Sequence, residues 1–238
     1  MIDCTGSDQR PPETFRGRIA NVTISCCLLW LVGGFSAPAI AQDRMPEIPA
    51  SQWTDAQKKA VDAFVKSRGK PPGHTGKSEG PFVPLLRSPE LMVPAEAFVS
   101  YVQFKTVLPP KLHQFVILIT ARQWTQTTEW NSHMELAQKA GLSLDLIKAL
   151  AAGERPSGMS DDEAAVYDFC DELHRNHSVS DATYARALSR FGEQGIIDIV
   201  GVAGGYTFLA MVMNTARTPP PPLPASLPAL PALPAFPQ

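Results

Sequence analysis

Glu129 and His133 are the side chains of this chain best spaced to move a proton. Four residues apart on a helix, a carboxyl and an imidazole lie on one face, one above the other. The imidazole can be held in one tautomer, and either group can give or take a proton near neutral pH. Arg122 stands seven residues before Glu129. On an unbroken helix, seven steps of about 100° return it to the same face. A cation, a carboxylate and an imidazole on one stripe can hold an anionic substrate and shuttle its protons. The same Glu–His spacing also makes an ordinary surface pair, worth about 0.2–0.5 kcal/mol. The surroundings favour chemistry: Trp124, Trp130 and the run Phe115–Ile119 lie beside the pair. Ionisable groups among large apolar side chains are either functional or destabilising.

Helices must position these groups. Thr54 or Ser51 can cap a helix through Gln57–Lys66, ended by Gly69 to Gly73. Pro94 can start a second through Phe98 and Phe104, and Pro110 a third running to Trp124. Thr125 to Thr128 are poor helix formers, so a new helix is expected near Glu129. That break leaves Arg122 at the end of one helix and Glu129 at the start of the next. It also offers Glu129 a plain role as a helix-end carboxylate kept ionised by the dipole. Gly141 ends this helix, Ser143 caps the next, and Ser160 with Glu163 makes a capping box. Asp181 opens another helix, and Gly195 to Met213 is a last apolar one. Alternating strand patterns are nearly absent, so the expected class is all-α.

The 238 residues suffice for one domain with a full core. Lys+Arg total 21 against Asp+Glu 23, a formal charge of -2, so nothing marks a nucleic-acid or lipid-headgroup partner. Residues 1–41 read as an export signal: Arg16 and Arg18, an apolar stretch near Val22 to Phe35, then Ala39-x-Ala41. A periplasmic protein without a membrane span follows, or, if the segment is not cleaved, an anchored one. After cleavage only Cys170 remains, so no internal disulfide and no thiol pair are expected. Residues 42–80 form a lead-in with one helix. Residues 218–238 are rich in proline and read as a disordered or polyproline-type tail.

A set of short motifs occurs in order along the chain: Pro81 to Leu91, Leu108-Pro109-Pro110-Lys111-Leu112, Glu129-Trp130-x-x-His133, Ala140 to Ser143, Phe191 to Gly195, and Asn214. Between Pro81 and Arg217 the sequence resembles the carboxymuconolactone decarboxylase family, within the alkylhydroperoxidase D-like superfamily. The resemblance implies a helical bundle over residues 81–217 that assembles as a homotrimer or hexamer. It also implies a small-molecule substrate and, for the lactone decarboxylases, no cofactor. The thiol-dependent branch carries C-x-x-C-x-x-x-H. Here Gln126 and Glu129 stand where the cysteines would be, so an alkylhydroperoxidase or peroxiredoxin activity is the disfavoured alternative. A non-catalytic pocket protein is the third reading.

For a decarboxylase, Arg122 would orient the substrate carboxylate and His133 would give the proton. Glu129 would orient the imidazole or act as base. Phe82, Tyr101 and Trp130 would supply apolar walls. Asp171, His174 and His177 recur at three-residue steps, but helix-end histidines explain them better than a metal face. His113 reads as an ordinary helix-face residue. The small residues Gly201 to Gly205 read as helix packing, not a phosphate loop.

Overall fold

Thr54 starts the first long helix for a local reason. Its hydroxyl accepts from the Gln57 N–H, and the Gln57 side chain accepts from the Thr54 N–H, so two end donors are satisfied reciprocally. The computed structural model describes residues 43–69 and 80–232. The candidate export signal and the alternative anchor, residues 1–41, lie outside them. A 3-10 turn at Ala50–Gln52 leads into α1 (Asp55–Ser67), α2 (Phe82–Leu85), α3 (Pro89–Phe104) and α4 (Pro110–Gln123). There follow α5 (Thr127–Lys139), α6 (Leu144–Ala152), α7 (Asp161–Asn176) and α8 (Asp181–Ala216). No strand occurs among the described residues, and the fold is all-α.

Helix α4 is the axis of the core. Phe115, Val116, Ile117, Leu118 and Ala121 are all buried, so it is apolar on every side. Such a helix needs neighbours all round, and α5, α7 and α8 pack against it. Ser143 and Ser160 cap α6 and α7 through their hydroxyls, as their positions predict, and Ser180 caps α8 in the same way. Helix α8 is long and apolar enough to cross a membrane, but more than half of its most apolar window is buried against the rest of the fold. Gly205 is the close-approach point between α8 and α3: a Cβ there would sit 3.2 Å from both Phe98 and Val102. This bears out the packing role of the small-residue run.

One expected helix start needs correction. Pro89, not Pro94, begins α3, because proline at the first helical position has its φ already set. Pro94 lies inside the helix on an exposed face, where water can take the freed carbonyl. The break expected between the last two helices is present, inside α8 at Gly192, whose backbone is not helical (φ 65, ψ 179). The lead-in carries one long helix, as expected, and Ala60, Val61, Phe64 and Val65 of α1 are buried in the core, against α3.

The α4–α5 corner falls where the threonines predict, two residues earlier than Glu129. The Thr125 N–H donates to Arg122 O (3.1 Å) and the Gln126 N–H to Ala121 O (2.8 Å). That is a Schellman closure, whose left-handed position is usually glycine. Thr125 occupies it with φ 46. A β-branched residue is strained there, by about 1–2 kcal/mol. Thr125→Gly is therefore expected to stabilise the protein by about 1 kcal/mol in urea unfolding. A loss of stability would show that the threonine side chain compensates for its backbone.

Candidate active site

Gln126 aims the site. It is buried, and its Oε1 accepts from the backbone N–H groups of Thr128 (2.5 Å) and Glu129 (3.2 Å), capping α5. Its Nε2 donates to Asn214 Oδ1 at 2.9 Å, and Asn214 Nδ2 donates to Trp124 O at 2.9 Å. One side-chain chain thus fastens the start of α5 to α8 and to the end of α4. Glu129 follows as the third residue of α5, only 4 % exposed. Neither carboxyl oxygen has a hydrogen-bond partner among the described residues.

Burial without a partner pushes the Glu129 carboxyl well above the usual range and so favours its protonated form. The helix dipole favours the ionised form, by about 0.3–1 kcal/mol. Burying an unpaired carboxylate costs several times more. The helix-end role therefore gives way to a stored acid.

His133 stands one turn further along α5. Its Nδ1 lies 2.8 Å from Gln114 Oε1 on α4. That contact places the proton on Nδ1 and the lone pair on Nε2. The ring meets Tyr206 of α8 edge-on at 5.2 Å. Burial, and then the nearby His113, lower its pKa to about 4, so the imidazole is neutral at pH 7. His113 is not on an open helix face. It is buried, with Nε2 at 2.7 Å from Val102 O, tying α4 to α3.

Both groups line one cavity of about 540 Å³. Phe64, Phe82, Val99, Leu209 and Met213 give it apolar walls, and Pro219 to Pro221 close one side. Its cation is Arg68, from the end of α1. Arg68 grips Glu96 of α3 with Nε–Oε1 at 3.0 Å and Nη2–Oε2 at 3.1 Å, and its Nη1 donates to Gln103 at 2.9 Å. Its guanidinium also lies 5.4–5.5 Å from the ring centres of Phe64, Phe82 and Phe104. Those hydrogen bonds use three of the five guanidinium N–H groups.

The site residues expected from the sequence divide. Glu129, His133 and Phe82 meet in the cavity. Arg122 does not join them. The turn at Thr125 breaks the helical register, and Arg122 lines a separate hollow of about 110 Å³ with Tyr167 and Asp171. There its Nε donates to Ala151 O at 3.0 Å, satisfying an end carbonyl of α6. Arg122→Met should leave ligand binding in the main cavity within about twofold while lowering stability by about 1 kcal/mol. A tenfold loss of binding would return Arg122 to the site.

Trp130 is fully buried outside the cavity lining, with its indole N–H on Pro228 O at 2.8 Å. Tyr101 is part-exposed on α3, its hydroxyl 3.4 Å from Asp198 Oδ1. Sequence reasoning missed Arg68 and Gln114. The Phe64–Arg68 spacing of one helical turn, with a glutamate inside apolar α3, was the available signal.

The described part of the proline-rich tail runs back over the fold. Residues 218–232 form no helix or strand and turn at Ala225–Ser226, and Leu223, Leu227 and Leu230 pack on the core. Asn131 Nδ2 donates to Pro221 O at 2.7 Å. Elsewhere, His174 contacts Thr120 (3.3 Å) and Asp171 pairs with Arg175 (2.7 Å). No group of three metal-ligating side chains forms among the described residues.

Comparison with known proteins is sparse. No protein-family profile matches the chain, and no curated protein does. Its structure is similar to a crystal structure from Agrobacterium tumefaciens, of a protein of unknown function provisionally named antioxidant defence protein AhpD. The TM-score is 0.49 and the identity 19 %, over 58 % of this chain and 94 % of that one.

Proposed function

We propose that this chain is a cofactor-free acid/base enzyme acting on a small carboxylated or lactone-type molecule, of the carboxymuconolactone decarboxylase kind. One observation carries the reading: a carboxyl buried without a partner, Glu129, and a buried imidazole, His133, share an apolar-walled cavity at helical spacing. Burial favours the protonated carboxyl and the neutral imidazole, the forms in which the two can act as acid and base.

In this proposal the substrate carboxylate meets the remaining N–H groups of Arg68 and loses its water among the apolar walls. The bond to carbon dioxide breaks, and its electron pair moves into the conjugated ring carbonyl as a dienolate. Glu129 gives its proton to carbon, carbon dioxide leaves, and water restores the Glu129 proton. His133 Nε2 accepts a substrate or water hydrogen and can relay that return. Tyr206, buried against His133, is a donor available to the oxyanion.

Thiol peroxidase chemistry is disfavoured by two observations. Gln126 is a helix cap and Glu129 an acid where a thiol pair would be needed. Cys170 is fully buried and its thiol is pushed up to about 12, so it offers no thiolate.

Self-association belongs to the same proposal. Phe98 and Phe104 of α3 and Ile197 and Val200 of α8 are exposed apolar side chains that association would cover, which sedimentation of the purified chain tests. Export through residues 1–41 is tested by N-terminal sequencing of the secreted protein.

The deciding experiment supplies a carboxylated unsaturated lactone to the purified protein and follows carbon dioxide and product. Release lost in both Glu129→Gln and His133→Ala supports the reading. Tight binding without turnover favours a pocket protein, and release indifferent to both changes overturns the mechanism.

A further inference from the structure

The proline-rich segment sits against the same helix that carries the acid and the base. Glu129, Ser132 and His133 of α5 face the cavity, while Trp130 and Asn131 of the same turn hold the segment from outside. Thr218 N–H anchors the start of the segment on Met213 O at 3.0 Å, and beyond it the contacts to the fold run one way. Trp130 Nε1 and Asn131 Nδ2 donate to the carbonyls of Pro228 and Pro221, at 2.8 and 2.7 Å. The prolines have no N–H to give in return, and beyond Thr218 the segment makes no backbone–backbone hydrogen bond to the rest of the described fold. A turn closed by Leu227 N–H on Pro224 O (2.9 Å) separates the two attachment points. Three half-buried leucines, Leu223, Leu227 and Leu230, supply the apolar hold. Pro219 to Pro221 meanwhile form part of the cavity wall.

We propose that residues 218–232 are a displaceable strap: they wall the cavity, dock by their carbonyls on a polyproline-type groove along α5, and lift to admit the ligand. Recognition of a proline-rich segment by an indole and an amide donor is a familiar solution, because the extended form is already set and little entropy is lost on docking. Lifting the strap breaks few hydrogen bonds and unfolds no helix. The strap also shapes what the cavity accepts, since its prolines offer rigid apolar surface and no donors.

The test measures access, not turnover, so its failure is separate from failure of the acid/base reading. Stopped-flow mixing with 1-anilinonaphthalene-8-sulfonate reports filling of the cavity. Two changes release the strap: a chain ending at Thr218, and the full chain with Leu223→Ser, Leu227→Ser and Leu230→Ser. Each should bind the dye faster by about tenfold or more, given the apolar hold removed. A peptide of residues 218–232 added to the shortened chain should slow binding again. If the shortened chain fails to fold, the triple variant and Asn131→Ala decide, the latter with an increase of about fivefold for one lost hydrogen bond. Equal rates in all folded variants overturn the proposal. So does an acceleration that persists when Leu209→Trp fills the cavity.

Discussion

Glu129→Gln will reduce turnover by about 10²–10⁴-fold, the usual contribution of a positioned general acid, and it will make the protein relatively more stable as pH rises. Glutamine keeps the shape and the neutrality of the protonated side chain but has no acidic proton. The stability effect follows from linkage. The folded Glu129 carboxyl titrates well above the ordinary value of 4.5 because it is buried without a partner. Below pH 4.5 both folded and unfolded chains hold the proton, and the group is neutral in both. Above that pH the unfolded chain releases its proton while the folded chain keeps it, so stability falls as pH rises toward the folded pKa. Glutamine removes that loss.

His133 acts in the opposite window. Its pKa drops from 6.5 to about 4 on folding, so the unfolded chain gains a proton first and stability is lost as pH falls from 6.5 toward 4. The full shift corresponds to about 3 kcal/mol as an order of magnitude, and His133→Gln should flatten the acid side of the profile. Urea unfolding at pH 4.5, 6 and 8 separates the two. Parallel profiles for the parent and Glu129→Gln would mean that the carboxyl is solvated and no stored acid exists.

Arg68→Met will destabilise the protein by about 3 kcal/mol, and adding Glu96→Gln will recover most of the loss. The Glu96 side chain is 4 % exposed and holds the Arg68 fork at 3.0 and 3.1 Å. Ser67 and Ser100 also donate to it, at 2.6 and 3.1 Å. Without the guanidinium, that carboxylate is buried with hydroxyl donors alone. The lower end of the range for a broken buried pair applies because Arg68 is itself 18 % exposed. The double variant removes both charges, and methionine fills the space between Phe64 and Phe82. A strictly additive loss in the double variant would show that the pair is not coupled. Under the proposed function the same single variant weakens binding of carboxylated ligands, whereas uncharged ligands of equal size bind as before.

Much of the helical frame was legible in the chain. Ser143 and Ser160 cap helices because a hydroxyl at those positions satisfies a backbone N–H within three residues, which is a local matter. The break after Trp124 was legible for the same reason: the threonines favour an end, and the closure joins residues five apart at most. Glu129 and His133 share a face because helical geometry alone decides it.

Where side chains were expected to meet across a break, the sequence misled. Arg122 was expected to converge on Glu129 even across the break, but the left-handed backbone of Thr125 sends it to a separate hollow. The start of α3 was placed at Pro94 because a proline was read as a beginning, although its exposed face lets it stand inside the helix.

By itself the sequence determined the all-helical class, the helix ends and the pairing of an acid with an imidazole one turn apart, since each depends on residues within a few positions. Tertiary structure alone decided which cation faces that pair and what walls it in. Arg68 reaches the cavity from a helix about sixty residues earlier, and the strap returns about ninety residues later. Packing also set the protonation states, because burial is a property of all the surrounding elements and no local spacing encodes it.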